Sequence, residues 1–318
     1  MDLFDSFSIL PAATCEDYPA VSLSSQRRDF LAKTADSSPV FLFQDSSSIS
    51  YVPSIELKHL TVRFHSTCRV STPSGVIEDQ FAVVSCNSAT SELFELFIQC
   101  LAAVAEGLPV QAGTSDLQRS LRELLDLFQM LTRPSNREIT GLWAELYIIA
   151  KSQYVEKALE SWRTDTLERF DFSWGSGCLE IKATTKEMRI HDFSLEQLQV
   201  PVIGHGLVAS LLLQPISGGV GVMDLAGSIS DAVARKPHLK QKLWRNVAEA
   251  LGNDFSSRLD RRFDSSYSER QLVFYSMADI PAPEQPSDPR ITSIRFRADL
   301  TTAHTSFNTS EMLRDLFN

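Results

Sequence analysis

The sequence lacks several features that mark common protein classes. It has no apolar run near the ~20 residues that a membrane helix needs, and its start, Met1-Asp2-Leu3-Phe4-Asp5, lacks the basic stretch of a signal peptide. It also has no Gly-rich phosphate loop and no Gly-x-Ser-x-Gly nucleophile elbow. From these absences we expect a cytoplasmic protein that has no membrane partner and does not belong to the P-loop or α/β-hydrolase classes.

Cysteine is also scarce. The chain has five cysteines, an odd number, and none of them forms a Cys-x-x-Cys pair. This spacing argues against a structural zinc site and against a disulfide framework. We therefore interpret the five as buried or incidental thiols; they are Cys15, Cys68, Cys86, Cys100 and Cys178.

Positive charge is in short supply. The chain has 30 Lys and Arg against 40 Asp and Glu, which gives a formal net charge of -10 and a pI near 5.1. An acidic surface opposes nucleic-acid binding unless a local basic patch or a partner protein supplies the phosphate contacts. Three groups of basic residues could form such a patch, but solvated helix faces explain them equally well. They are Lys182, Lys186 and Arg189; Arg235, Lys236, Lys240, Lys242 and Arg245; and Arg258, Arg261, Arg262 and Arg270.

The 318 residues, 43% of them hydrophobic, are enough for one large domain or two ordinary ones. Residues 1–90 contain short alternating runs rich in Val, Phe, Ser and Thr, which predict a small antiparallel sheet without any chemical constellation. From residue 91 the hydrophobic period becomes helical. We therefore predict a β-rich accessory domain, 1–90, for partner or substrate contact, and a second domain, 91–318. Within the second domain, the apolar run 207–215 predicts a strand buried on both faces.

The segment 169–184 is predicted to form two short strands joined by a Gly/Ser turn. Side chains alternate along a strand, so Glu180 and Lys182 project to the same face. If Asp171 ends the neighbouring strand, its carboxylate falls beside that of Glu180, and two such carboxylates favour a divalent cation between them. The alternative is that Glu180 and Lys182 form a solvated pair and that Asp171 is a turn residue.

Glu145 is the one charged residue in the apolar helical run 141–150. A buried carboxylate is costly unless a partner or a metal compensates its charge. Glu145 is therefore a candidate third ligand, or the acceptor of a metal-bound water.

Downstream of Lys182, Asp192 or Ser194 can cap a short helix that contains Gln197. The Gln197 amide suits a carboxylate or a water, although a polar residue on a solvated turn is nearly as consistent with the pattern. His191 could donate to a phosphate or carry a proton, and it could equally orient a carboxylate.

These segments, in this order, resemble the core of the PD-(D/E)XK nuclease superfamily. The similarity covers about residues 138–215 and rests on a helical Glu145, a strand Asp171, the triplet Glu180-Ile181-Lys182 and a following helix with Gln197. The local sequences are similar to a bacterial branch of PD-(D/E)XK proteins of unknown function that is associated with restriction and phage-defence loci. One departure is Phe170, which stands where the motif has proline.

The resemblance implies an α/β (α+β) fold: a restriction-endonuclease-like core with a mixed central sheet flanked by helices. It implies Mg²⁺, replaceable by Mn²⁺, and a catalytic role for Lys182 and Gln197. The implied metal ligands are Asp171, Glu180, the Ile181 carbonyl and Glu145. The residues implied to face nucleic acid are Lys186, Arg189 and His191.

The implied function is a metal-dependent endonuclease that hydrolyses DNA in a restriction or phage-defence system, with other defence proteins as partners and a homodimer left open. An alternative is a catalytically inert, nuclease-like subunit with a structural or recognition role in a defence complex. A third interpretation is a ligand-binding α/β protein with a fortuitous Glu-x-Lys, which requires Glu145 to lie far from Asp171.

Overall fold

The computed structural model describes most of the chain: residues 3–14, 17–48, 51–87, 92–131, 138–164, 168–175, 177–200, 204–254, 258–259, 261–288, 290–305 and 307–318. The chain divides into two compact units. Unit 1 contains residues 1–135 and 235–257, and unit 2 contains residues 136–234 and 258–318. The domain boundary between residues 90 and 91 stays a prediction, and the helices that directly follow it belong to unit 1.

The principal helices are numbered in chain order; those after residue 91 agree with the helical periodicity, whereas the first lies within residues 1–90, where only a sheet is predicted. They are α1 Leu3–Ile9, α2 Glu92–Gly107, α3 Thr114–Met130, α4 Ile139–Lys151, α5 Val155–Ser161, α6 Val222–Ala232 and α7 Pro237–Leu251. Two further short helices are Ser265–Gln271 and Thr309–Asp315. Residues 224–251 are predicted to form one or two helices with Pro237 as the break, and the break is found, because proline at the first helical position begins α7.

The strands are also numbered in chain order. They are β1 Tyr18–Ser22, β2 Phe30–Lys33, β3 Pro39–Gln44, β4 Ile55–Glu56, β5 Leu60–Thr72, β6 Gly75–Cys86, β7 Phe172–Trp174, β8 Gly177–Thr184, β9 Ile190–Ser194, β10 His205–Leu212, β11 Pro215–Val220, β12 Val273–Ser276 and β13 Arg295–Asp299.

Unit 1 contains the predicted N-terminal sheet. Its six strands lie in the order β1-β2-β3-β6-β5-β4, and β1 also pairs in parallel with β5, so the sheet closes on itself. Phenylalanines connect the sheet to the helices: the Phe41 ring meets Phe97 edge-on at 5.8 Å, and Phe97 meets Phe128 at 5.7 Å. Helix α7 packs against α2 in the same unit.

Unit 2 is built on a mixed four-stranded sheet in the order β12-β10-β8-β7. Strand β10 runs parallel to β8 and antiparallel to β12, and β7 and β8 form an antiparallel hairpin. All residues of β10 after His205 are buried, which agrees with the central strand predicted from the apolar run. A separate two-stranded sheet pairs β9 with β13. The observed architecture is therefore the predicted mixed sheet flanked by helices.

Helix α4 is buried along nearly its whole length, because it packs against both β8 and α6. The sequence predicts one helix from about Glu138 to Glu156 that carries Glu145, but α4 ends at Lys151 and Ser152 adopts an extended backbone. A second short helix, α5, then starts at Val155. The break falls just after the apolar run, where no Gly or Pro marks a helix end in the sequence, which is why the pattern missed it.

The cysteines and the helix lengths bear on the predicted absence of disulfides and of membrane helices. Cys68, Cys86, Cys100 and Cys178 are buried, whereas Cys15 lies outside the described residues. Within the described segments, no helix combines the length and the apolar composition needed to cross a membrane.

Candidate active site

The β7–β8 hairpin brings Asp171 next to Glu180. Phe172 pairs with Leu179 at the end of the ladder, so Asp171, one residue earlier, falls beside Glu180. The Asp171 side chain is tied to the opposite strand because the Ile181 backbone N–H donates to its Oδ2 at 2.7 Å. Both carboxylates are buried, each with 4% of its residue surface exposed. The short turn thus produces the predicted pair of neighbouring carboxylates.

Glu180 and Lys182 share one face of β8, as the strand period requires. Lys182 Nζ lies 2.8 Å from Glu180 Oε1 and 3.1 Å from Gln197 Oε1. Gln197 Nε2 donates to the same Glu180 oxygen at 2.5 Å. The Lys182 amine also lies over the Phe193 ring, 5.0 Å from its centroid. Lys182 is therefore held by a carboxylate, an amide and an aromatic face.

Gln197 reaches the site from a short 3₁₀-helix, Leu195–Leu198, that follows β9. The Ser194 backbone N–H donates to Gln197 Oε1 at 3.0 Å, so the amide closes the turn and contacts the site at the same time. The alternative of a solvated helix residue is wrong, because both ends of the amide have protein partners.

Glu145 enters the site from α4 and is 3% exposed. Trp162 Nε1 donates to its Oε2 at 2.6 Å, and Arg163 Nη2 donates to its Oε1 at 3.2 Å. The desolvation cost of this carboxylate is thus offset by one indole and one guanidinium. The structure places Glu145 beside the other acidic residues, as the burial argument predicted.

Arg163 is the site residue that the sequence pattern did not reveal. Its Nη2 lies 3.1 Å from Asp171 Oδ1 and 3.2 Å from Glu145 Oε1, so one nitrogen bridges two carboxylates from different elements. The available signal was a charge imbalance, because three buried carboxylates and one lysine require further positive charge. The connector between α5 and β7 supplies that charge.

Burial dominates the electrostatics of the two strand carboxylates. It raises the pKa of Asp171 well above its usual value, and the nearby Glu180 and Glu145 raise it further, against the opposing effects of Arg163 and the Ile181 N–H. Burial likewise raises the pKa of Glu180, although Lys182 and Arg163 act in the opposite direction. Both shifts favour the neutral carboxyl group over the carboxylate, because burial penalises the charged form.

By donor chemistry the site fits a hard divalent cation, since Asp171, Glu180 and Glu145 offer carboxylate oxygens. In their present positions, however, no three His, Cys, Asp or Glu side chains among the described residues form a group that could hold a metal ion. The physical reason is visible in the contacts: Arg163 bridges Glu145 and Asp171, and Lys182 lies on Glu180. The predicted ligand residues are thus present, but their carboxylates are paired with the side chains of Arg163 and Lys182.

The predicted nucleic-acid residues separate into two kinds. Lys186 is exposed just beyond β8. Arg189 and His191 are instead buried, with 8% and 4% of their surfaces exposed, and both contact Ser210. The expectation that Arg189 and His191 face a nucleic acid is corrected, because these side chains hold β9 against β10.

Hydrogen bonds to protein groups explain why the side chains of Arg189 and His191 point into the protein. Arg189 Nη1 donates to the Ser210 carbonyl at 2.9 Å and to Ser210 Oγ at 3.0 Å, and Nη2 donates to the Gln271 carbonyl at 2.5 Å. His191 Nε2 lies 2.8 Å from Ser210 Oγ. Burial first, and then Lys182 and Arg189, lower the pKa of His191 to about 4. A buried imidazole with a pKa near 4 is a weak base at pH 7, and the His191 ring is held against Ser210, so it is poorly suited to carry a proton.

Replacing His191 with Gln is expected to make the protein less sensitive to acid. The folded state keeps His191 neutral, so its stabilising contribution is complete above pH ~6.5 and is lost as the pH falls toward 4, by at most about 3 kcal/mol. Urea unfolding at pH 7 and pH 4.5 measures the difference for wild type and His191→Gln. The exposed His304→Gln is the control. An equal loss of stability on acidification in wild type and His191→Gln would contradict the assignment.

Comparisons with known proteins agree with this geometry. A protein-family model described as "Putative PD-(D/E)XK family member, (DUF4420)" matches residues 6–301, which is most of the chain. No curated protein and no solved structure matches the sequence. Because the family match includes both units and the whole acidic cluster, the chain belongs to this PD-(D/E)XK-related family and has its nuclease-like fold.

Proposed function

We propose that the protein is a metal-dependent endonuclease that hydrolyses phosphodiester bonds of DNA. The observation that carries this proposal is the convergence of three carboxylates and one amine on the β7–β8 hairpin and α4. Each of them is held by a protein contact of 3.2 Å or less; they are Asp171, Glu180, Glu145 and Lys182.

The proposed cofactor is Mg²⁺, with Mn²⁺ as a substitute. Asp171, Glu180 and the Ile181 carbonyl would hold the ion, and Glu145 would hold a water or a second ion. A bound divalent ion supplies a Lewis acid for the phosphoryl oxygens and lowers the pKa of water. Two ligand positions are already pre-organised, because the Ile181 N–H orients Asp171 and the Trp162 indole orients Glu145.

Lys182 is proposed to orient the attacking water and to stabilise the negative charge that develops on the phosphoryl group. Its amine is directed by Glu180 and by Gln197, so it is held in place before substrate arrives. Gln197 is a positioning residue in this scheme, since it contacts both members of the Glu180–Lys182 pair.

The proposed substrate is DNA, and the proposed context is restriction or phage defence. The chain's net charge of -10 does not favour binding to a polyanion by the whole surface. Exposed Lys186, next to the end of β8, offers a local phosphate contact. Further contacts would come from other defence proteins or from a second copy of this chain in a homodimer.

One observation favours a second candidate, a catalytically inert subunit of a defence complex. Arg163 bridges Glu145 and Asp171, and Lys182 pairs with Glu180, so each carboxylate already has a cationic contact in a nuclease-like scaffold without a metal. The third interpretation, a ligand-binding protein with a fortuitous Glu-x-Lys, requires Glu145 to lie far from Asp171. These two residues lie close together, because both contact the same guanidinium nitrogen.

Incubating the purified full-length chain with supercoiled plasmid and Mn²⁺ or Mg²⁺ should yield nicked and linear DNA. A chelator should abolish the cleavage, since hydrolysis depends on the ion. Identically prepared Lys182→Ala protein controls for contaminating nuclease. If the plasmid stays intact with either metal, alone and with the products of neighbouring genes, the inert-subunit candidate replaces the nuclease proposal. Cleavage that persists in excess chelator would contradict the metal requirement.

A further inference from the structure

Arg163 occupies the position between two carboxylates where a cation is needed. Its Nη2 lies within 3.2 Å of both Glu145 and Asp171, which come from α4 and from the start of the β7–β8 hairpin. A divalent ion bound to Asp171 Oδ1 would meet the guanidinium at close range, and two cations there repel each other. Arg163 and a metal ion therefore compete for the same oxygen.

The Arg163 side chain is more exposed than the two carboxylates that it bridges. The Arg163 side chain is 19% exposed, whereas the side chains of Glu145 and Asp171 are 4% and 6% exposed. Arg163 therefore has more contact with solvent than either carboxylate.

The backbone of Arg163 is fixed, so only its side chain needs to move. The Arg163 N–H donates to the Asp171 carbonyl at 2.9 Å, and the preceding Trp162 forms an isolated antiparallel bridge with Phe172. Trp162 Nε1 keeps its bond to the other oxygen of Glu145 when the guanidinium moves away. The arginine side chain is long and rotates about several bonds, which suits it for such an exchange.

We propose that Arg163 is a built-in counter-ion that holds the Glu145–Asp171 pair in the metal-free protein and must swing off Asp171 when a divalent ion binds. This inference rests on the metal site of the proposed function. Arg163 then has two states. Without metal it bridges Glu145 and Asp171, and with metal it is released toward solvent, where its guanidinium can bind a phosphate group.

Calorimetric titration with MnCl₂, together with thermal unfolding with and without Mn²⁺, tests the exchange in the full-length chain. Arg163→Gln removes the competing charge and is expected to bind Mn²⁺ roughly tenfold more tightly than wild type. It should also unfold at a lower temperature without metal and regain more stability than wild type when Mn²⁺ is added. Arg297→Gln, which removes an exposed arginine paired with Asp192, should behave as wild type.

The outcomes separate this inference from the nuclease proposal. If wild type binds Mn²⁺ and cleaves DNA but Arg163→Gln binds no more tightly, the exchange is refuted and the nuclease proposal stands. If Arg163→Gln binds Mn²⁺ and wild type does not, the counter-ion role stands and the nuclease proposal fails. If neither protein binds Mn²⁺, both ideas fail.

A second measurement covers the case in which Arg163→Gln does not fold. The side-chain Nε–H signal of Arg163 can be assigned in ¹⁵N spectra of wild type by its loss in Arg163→Lys. Adding Mg²⁺ should shift this signal and leave that of Arg297 in place. An unmoved Arg163 signal at a Mg²⁺ concentration that shifts the Ile181 backbone amide would overturn the exchange.

Discussion

Replacing Lys182 with Ala is expected to reduce DNA cleavage by about 10²–10³-fold or more, the loss typical when one charge-stabilising donor is removed from an active site. The Lys182 amine lies 2.8 Å from Glu180 Oε1 on β8. In the proposed mechanism it is the positively charged group next to the attacking water. Cleavage rates on supercoiled plasmid with saturating Mn²⁺ measure the effect.

The interpretation of this variant depends on an intact fold. Lys182 has 15% of its side chain exposed, so its removal should leave the circular dichroism spectrum unchanged, whereas thermal stability should fall because buried Glu180 loses its cationic partner. Lys151→Ala removes another lysine of unit 2, one that pairs with Glu269 at 3.1 Å, and should cleave at the wild-type rate. Wild-type cleavage by Lys182→Ala would refute the catalytic assignment.

Asp171→Asn is expected to weaken Mn²⁺ binding at least about tenfold and to bring cleavage close to background. The amide has nearly the same shape and can still accept the Ile181 N–H bond through its oxygen. It carries no negative charge, however, and one of the two oxygens becomes an NH₂ group that cannot bind a metal ion. Calorimetric titration with MnCl₂ measures the affinity, and the plasmid assay measures the rate.

The matched control for this change is Asp192→Asn. Asp192 also pairs with an arginine, since Arg297 Nε lies 2.7 Å from its Oδ1, but it is exposed on β9. Its replacement should leave both Mn²⁺ affinity and cleavage unchanged. Unaltered Mn²⁺ affinity in Asp171→Asn, with the control behaving as expected, would remove Asp171 from the proposed ligand set.

Local sequence rules were enough to place the strand residues of the site. The period of two puts Glu180 and Lys182 on one face, and the short Gly/Ser turn sets Asp171 opposite Glu180. The family resemblance, in contrast, implied that Arg189 and His191 face a nucleic acid, and both are buried. A polar residue after a catalytic-type strand can face either solvent or the neighbouring strand, and sequence spacing does not distinguish the two.

The sequence by itself determined the acidic cluster, the hairpin that carries it and the buried central strand, because these depend on local periodicity and on the cost of a lone charge in an apolar helix. Only the tertiary structure decided that Arg163 bridges Glu145 and Asp171, and that Ser210 takes up Arg189 and His191. These contacts join residues from separate elements, and which cation meets which carboxylate depends on how the elements pack. That packing is a property of the whole folded unit, and no short stretch of sequence encodes it.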